Sequence, residues 1–328
     1  MARQHVIPAG LIGGFSAETN GRGRDRRVWV ARRAQKGIHL VPARTIGFAK
    51  DPYALKVRLG GRLDVVDRQW RVYEPSLPWA IAAAAQVPEM ILDARAWVVL
   101  IQLVAGLFVR VPDYAERDAA SLRSVFGDQL PEGLTPDNTN LNRLFDFQWL
   151  MSTLLFCRWT LIRLQEPVLV SNDNGFCMGR DFEGRPCAAV PLRPDLTVLV
   201  SRGPGNLRAW WDGGKWRMEG FHVVANVDPS VSVGQNRALA ATAHHEVFGQ
   251  SKEAVAEAVA VWESHPVRAN EVPPPQLLYP DVAARQAIEQ QIFTAMRLFA
   301  SPPAMEPPWL LRFDALHPWA GDKAASGD

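Results

Sequence analysis

The spacing of apolar residues divides this chain into a helix-rich middle and a strand-rich second half. From Ala96 to Val109 no charge interrupts the sequence, and Trp97, Leu100, Ile101, Leu103, Leu107 and Phe108 leave no polar face. A run of this length predicts a helix buried in a core, because about 20 apolar residues are needed to cross a bilayer. Asp93 is placed to cap its N-terminus, and Val111-Pro112 ends it. Leu77–Gln86, alanine-rich with Pro78 in the first turn, predicts a preceding helix. Another is expected over Asp118–Phe126, followed by a Gly-, Pro- and Asp-rich loop up to Asn140. Leu144, Phe147, Met151, Leu154, Leu155 and Trp159 recur at three and four residues, predicting one long helix from about Leu141 to Leu164.

Elsewhere the pattern is that of strands and turns. Val28–Val30 and Ile38–Val41 flank Lys36-Gly37 as a hairpin, whereas Leu63–Asp67 is ambiguous. The opening His5–Phe15 starts extended and turns, since Pro8 and Gly13-Gly14 suit no helix interior. Pro167–Val170 predicts a strand entering the polar turn Ser171–Gly175. Ala188–Leu192 and Leu196–Val200 flank a turn at Arg193–Asp195, and Trp210–Trp216 carries hairpin chemistry around its glycines. Helices are expected at Gln235–Phe248 and Lys252–Trp262. The fold class expected is α+β: a core of three or more helices packed on antiparallel sheet and hairpins, spanning residues 1–265. Residues 266–328 form a proline-punctuated tail with one helix, Val282–Phe299, and a small, polar end.

Composition narrows the function only a little. Lys and Arg number 36 against 34 Asp and Glu, so no general field favours nucleic acid or an anionic membrane. Basic residues do cluster between Arg22 and Lys36; a solvated loop and a phosphate-binding patch are both open readings. Cys177 and Cys187 could meet across a hairpin, but residues 1–5 carry no apolar export run, so reduced thiols and a cytoplasmic location are expected.

Candidate chemistry centres on the turn after Val170. Ser171, Asn172, Asp173 and Asn174 could bind a polar ligand, while the same residue types also serve as ordinary strand-ending hydrogen-bonders. His5 could act as a general base, and Asp173 and Arg110 would join it in a catalytic site if the three converged. His244-His245-Glu246 lacks the spacing of a zinc site, and Asp137–Asn140 lacks most of a calcium loop, so no metal ligand is assigned. No phosphate-loop, dinucleotide or nucleophile-elbow motif is present, and no particular cofactor is indicated.

Several of these segments, in this order, resemble the domain of unknown function 4238 family, which is found mostly in bacteria. His5, Pro8, Leu11 and Phe15 are similar to its opening element, Asp51-Pro52-Tyr53 to its aromatic segment, and Arg110-Val111-Pro112 to its Arg-x-Pro element. Trp159–Arg163 with Leu169–Asn174, Pro191–Pro194 and Asn236 continue the likeness to about residue 250. Asn172 stands where the family has serine, Gly175 where it has proline, and Glu74 alone matches its paired glutamates. That family has no assigned reaction, so the resemblance implies an architecture. Two functional expectations follow. The first is an accessory domain binding a small ligand or protein partner through residues such as Ser171, Asn172, Asn174 and Asn236. The second is a hydrolase-like enzyme using Asp173 with His5 and Arg110, with or without a divalent metal.

Overall fold

A long helix buried on nearly every side organises the protein. The computed structural model describes residues 3–50, 65–86, 91–127, 139–154, 157–201, 208–211, 214, 216–219, 221–263 and 310–312. Its fold is α+β. The chain opens with β1 (Arg3–His5), a short helix α1 (Ala9–Gly13) and the antiparallel hairpin β2 (Arg27–Arg32) and β3 (Ile38–Pro42). β4 (Phe48–Lys50) then returns antiparallel to β1. The helical middle comprises α2 (Val65–Tyr73), α3 (Leu77–Gln86), the short strand β5 (Ile91–Asp93), α4 (Ala94–Arg110), α5 (Tyr114–Phe126) and α6 (Thr139–Leu154).

The Asp93 side chain accepts the Arg95 N–H at 2.9 Å, capping α4 as its sequence implies. Fourteen of the seventeen residues of α4 are buried, which makes it the central element of the core rather than a half-exposed surface helix. Among the described residues no single helix is long and apolar enough to cross a membrane; α4 and the start of α5 reach that length only together, across a 77° bend.

The second half supplies the sheets. β6 (Arg158–Leu164), β7 (Val170–Asn172), β8 (Cys177–Arg180), β9 (Pro186–Arg193) and β10 (Leu196–Ser201) precede β11 (Arg208–Trp211), β12 (Trp216–Glu219) and β13 (Phe221–Val227). α7 (Ser232–Thr242), β14 (Glu246–Gly249), α8 (Lys252–Val259) and β15 (Leu310–Arg312) complete the described order. A five-stranded sheet runs β13-β6-β10-β9-β8, antiparallel except for the β13–β6 pair. A four-stranded sheet, β3-β2-β14-β7, joins the N-terminal hairpin to the chain more than 200 residues later. A second four-stranded sheet runs β15-β11-β12-β5, so three residues of the proline-rich tail pair with the hairpin that precedes them by about a hundred positions. The tail helix expected at Val282–Phe299 lies outside the described residues.

Ring contacts weld α4 to the sheets: Trp97 meets Trp159 of β6 at 4.5 Å between centroids, and Phe108 meets Phe176 at 4.8 Å. These contacts explain two corrections. The long helix expected to reach Leu164 stops at Leu154, and Trp159 lies on β6, its indole N–H donating to the Leu154 carbonyl at 2.8 Å. The helix expected through Phe248 stops at Thr242, and Val247-Phe248 belong to β14. Both segments are inner strands covered on both faces, so their apolar residues do not alternate with polar ones and no period of two betrays them.

Smaller differences are local. α5 starts four residues earlier than expected, the strand expected from Pro167 begins at Val170, and the opening turn contains the five-residue α1. Leu63–Asp67 runs into α2, which starts at Val65. Cys157, Cys177 and Cys187 are free thiols; Cys177 sits opposite Ala189, not Cys187, and burial raises it to about 12 and Cys187 to about 11.

Candidate functional site

The polar turn after β7 is enclosed by α4, α7 and β14. Ser171, Asn172, Asp173 and Asn174 are each 3% exposed or less. Asn172 Nδ2 donates to the Leu239 carbonyl at 2.8 Å and to Thr242 Oγ1 at 3.2 Å, while its Oδ1 accepts the Gly175 N–H at 2.8 Å and the Asn174 N–H at 3.2 Å. Asn174 Nδ2 reaches the Thr242 carbonyl at 2.8 Å. The two carboxylate oxygens of Asp173 accept the backbone N–H of His244 at 2.9 Å and of His245 at 2.6 Å. Burial pushes the Asp173 carboxyl up, and the His245 amide and the neighbouring His244 pull it back.

Gly175 closes the turn at φ 77°, where a Cβ would also come within 2.7 Å of Leu107 Cδ2 on α4. Asn236 of α7 accepts the Val170 N–H at 3.1 Å and donates to the Val168 carbonyl at 2.9 Å, stapling α7 to the entry of β7. The candidate ligand residues Ser171, Asn172, Asn174 and Asn236 therefore sit among internal backbone groups, and Asp173 holds the loop between α7 and β14. His244 and His245 occupy that loop rather than a helix, as the sequence had suggested. Among the described residues no group of three or more His, Cys, Asp and Glu side chains could hold a metal ion.

His5 and Arg110 do converge, at a different place. Arg110, 3% exposed at the end of α4, donates to the His5 carbonyl and pairs with Glu74 Oε1 at 2.7 Å, and its guanidinium lies 5.3 Å from the Trp70 ring centre. It thus ties β1, the α2–α3 corner and α4 together. His5 Nδ1 lies 3.2 Å from the Ile46 carbonyl, which fixes Nδ1 as the protonated nitrogen of the neutral ring. Burial first, then the Arg110 and Arg24 charges, holds the His5 imidazole below its usual range, against the Ile46 hydrogen bond and Glu74.

His5 and Glu74 line a cavity of about 1320 Å³; Arg110, Asp173 and Asn236 do not. One wall consists of α1 and the single helical turn Gly23–Asp25, and a second of the α2–α3 corner with Arg71, Pro75 and Pro78. Arg193–Asp195, the turn between β9 and β10, closes one end. The first wall depends on backbone contact: a Cβ on Gly13 would stand 1.9 Å from the Gly23 carbonyl oxygen, so only glycine lets the two segments touch.

Most charges at this cleft are neutralised locally. Arg44 pairs with Asp25, Arg71 with Asp67, Arg193 with Asp195 at 2.7 Å, and Glu18 with Arg27 at 2.8 Å. Two cations remain. Arg26 donates to the Thr19 carbonyl at 2.8 Å while its buried Nε has no partner, and Arg24 makes no hydrogen bond or ion pair among the described residues. Arg24 is exposed, lines the cleft, and lies close enough to His5 to depress its protonation. The basic cluster seen in the sequence is thus split by role. Arg32 pairs with Glu246 at 2.7 Å, and Arg33 donates to the Ala243 and Ala240 carbonyls at the C-terminal end of α7, where a cation suits the helix dipole.

Sequence reasoning reached His5 and Arg110 but assigned Glu74 no chemical role and left Arg24 and Arg26 in a loop with two readings. The signal that could have singled them out is their glycine-bounded setting, Gly21 to Gly23, in a segment too short to bury its own charges. No family model, curated protein or solved structure matches this chain.

Proposed function

We propose that the protein is a ligand-binding domain whose cleft takes an anionic small molecule, held by Arg24 and Arg26 beside His5. The observation that carries this reading is the charge left over after local pairing: on one wall of a large cleft stand Arg24, exposed with no hydrogen bond or ion pair among the described residues, and Arg26, which bonds a neutral carbonyl and no carboxylate. A guanidinium offers several donors in a fixed fork that matches carboxylate and phosphate oxygens, so an anion is the natural complement. With Nδ1 donating to the Ile46 carbonyl, a neutral His5 leaves Nε2 as an acceptor, which can take a hydrogen bond from a hydroxyl or a protonated acid without adding charge. The likeness of the opening segment to the domain of unknown function 4238 family points to the same place. Of the residues that match its elements, His5 and Glu74 line the cleft, and Arg110 bonds to both from behind it. A hydrolase built on Asp173 has less support, because both Asp173 oxygens already accept backbone amides.

Calorimetric titration of the full chain with phosphate- and carboxylate-bearing compounds tests the reading. The variant Arg24→Ala should weaken binding by about tenfold or more, as expected for a lost charge-assisted hydrogen bond of ~1.5–3 kcal/mol. Arg26→Ala should act in the same direction. Because Arg24 is exposed and has no described partner, its removal should change folding stability by less than about 0.5 kcal/mol. Equal affinities for the wild type and for the double variant would show that these arginines hold no ligand. An affinity insensitive to added salt would count against a charge-driven complex.

A further inference from the structure

The same cleft has a second wall of a different character, and the two together restrict the ligand. Arg24 and Arg26 project from the first wall. The α2–α3 corner contributes the exposed Pro75, Pro78 and Ala82, aliphatic side chains without a hydrogen-bonding group, with the buried Ile81 and Leu192 behind the lining. Among the described residues lining the cleft there is no phenylalanine, tyrosine or tryptophan. A nucleobase or other flat heteroaromatic is ordinarily held by stacking on such rings, which contributes about 1–3 kcal/mol per base. An aliphatic chain asks only for apolar surface withdrawn from water. The cavity, about 1320 Å³, is also larger than the ~300–1,000 Å³ usual for a site that encloses a drug-sized molecule, and far larger than a bare oxyanion fills.

We infer that the ligand is an amphipathic anion, with a phosphate or carboxylate head at Arg24 and Arg26 and an aliphatic body along Pro75, Pro78 and Ala82. This inference rests on the anion-binding reading above and adds the chemistry of the ligand's other end. The head and the body are recognised by different walls, so they can be tested separately.

Titrations of the full chain with ethyl, hexyl and octyl phosphate, each below its micelle concentration, provide the first test. Affinity should rise about fourfold per methylene buried, the equivalent of ~0.8 kcal/mol. Octanoate against octyl phosphate then identifies the head. Ala82 is exposed on α3 and lines the cleft, so Ala82→Trp should occupy the apolar half without disturbing the core. That variant should weaken octyl phosphate at least tenfold and leave ethyl phosphate unchanged, with an unaltered melting temperature as the check on folding. If Ala82→Trp melts lower, Ala82→Leu and the chain-length series decide instead.

Three results would overturn parts of this in distinguishable ways. An affinity independent of chain length, or adenosine monophosphate binding more tightly than octyl phosphate, would remove the aliphatic body; if such binding still fell with Arg24→Ala, the anion site would survive. Octyl glucoside binding as tightly as octyl phosphate, with neither affected by Arg24→Ala, would remove the anion site itself. No heat or competition from any probe would remove both.

Discussion

The turn Ser171–Gly175 and the cleft beside His5 are both rich in groups that can bind a ligand, and they use that capacity in opposite ways. In the turn, Asn172 and Asp173 reach backbone groups of α7, the following loop and the turn itself. In the cleft, five arginines line the walls, and after their pairing with nearby carboxylates Arg24 and Arg26 are left over. The difference follows from burial. The turn itself is buried, its four polar residues 3% exposed or less, and backbone N–H groups packed against it without a partner cost about 1–3 kcal/mol each. A short carboxylate and two amides are the shortest side chains able to satisfy them. Polar residues on an interior turn therefore indicate a structural demand, and functional capacity lies where donors outnumber the internal acceptors.

The largest effect should come from the turn. Asn172→Ala strips the Gly175 and Asn174 amides and the Leu239 carbonyl of a partner in a site 0% exposed. Its unfolding free energy in urea should fall by about 4 kcal/mol, at the diagnostic end of single-substitution effects. The folded fraction should keep its affinity for octyl phosphate, because no residue of the turn lines the cleft. A cost below about 1 kcal/mol, or a lost affinity with stability intact, would reverse the assignment of roles.

Gly13→Ala comes next, and it acts on the cleft wall instead. The new methyl cannot coexist with the Gly23 carbonyl at 1.9 Å, so α1 and the Gly23–Asp25 turn must separate. About 2–3 kcal/mol of destabilisation is expected for such overpacking against backbone. Arg24 and Arg26 stand on the displaced segment, so ligand affinity should fall at the same time. Gly10→Ala is the control: its Cβ meets nothing within 4 Å, and both properties should stay close to wild type. Equal behaviour of the two variants would show that the wall yields without cost.

Local chemistry was the legible part of this fold. The Asp93 cap, the α3 boundaries and the hairpins β2–β3, β9–β10 and β11–β12 are set by residues within a few positions of one another. β6 and β14 were not legible, because in a strand covered on both faces the polar residues do not alternate with the apolar ones to mark a period of two, and only partners such as Trp97 or β2 make it a strand. The site divides in the same way. His5 and Arg110 drew attention as a titratable and a charged residue in otherwise apolar surroundings, and they do meet. Arg24 could not be told from Arg27 or Arg33, since what separates them is the carboxylate or helix end that each finds across the fold. The Asp173 turn misled for the converse reason: the sequence displays its polar groups but not the amides that occupy them.

The smallest effect is a dependence of stability on pH, and it bears on the cleft most directly. The folded protein holds the His5 imidazole below its usual value of 6.5, through burial and the Arg110 and Arg24 charges. The unfolded chain therefore binds more protons at His5 than the folded one does between that depressed value and 6.5. Stability from this residue is fully present above pH 6.5 and is lost as pH falls through that window, at no more than ~1.4 kcal/mol per pH unit for one proton. His5→Asn keeps a donor near the Ile46 carbonyl and removes the titration, so the difference between the two pH profiles isolates His5. The raised Asp173 carboxyl works in the opposite sense, favouring the folded state toward acid, and it cancels in that difference if the two sites are independent. An anion seated on Arg24 beside the ring would favour the protonated imidazole and move its folded value back toward 6.5. The phosphate head titrates in the same range and bends both profiles alike, so the test lies in their difference: octyl phosphate should shrink the wild-type minus His5→Asn difference below pH 6.5. A ligand that stabilises both proteins equally at every pH would be bound away from His5, whatever its affinity.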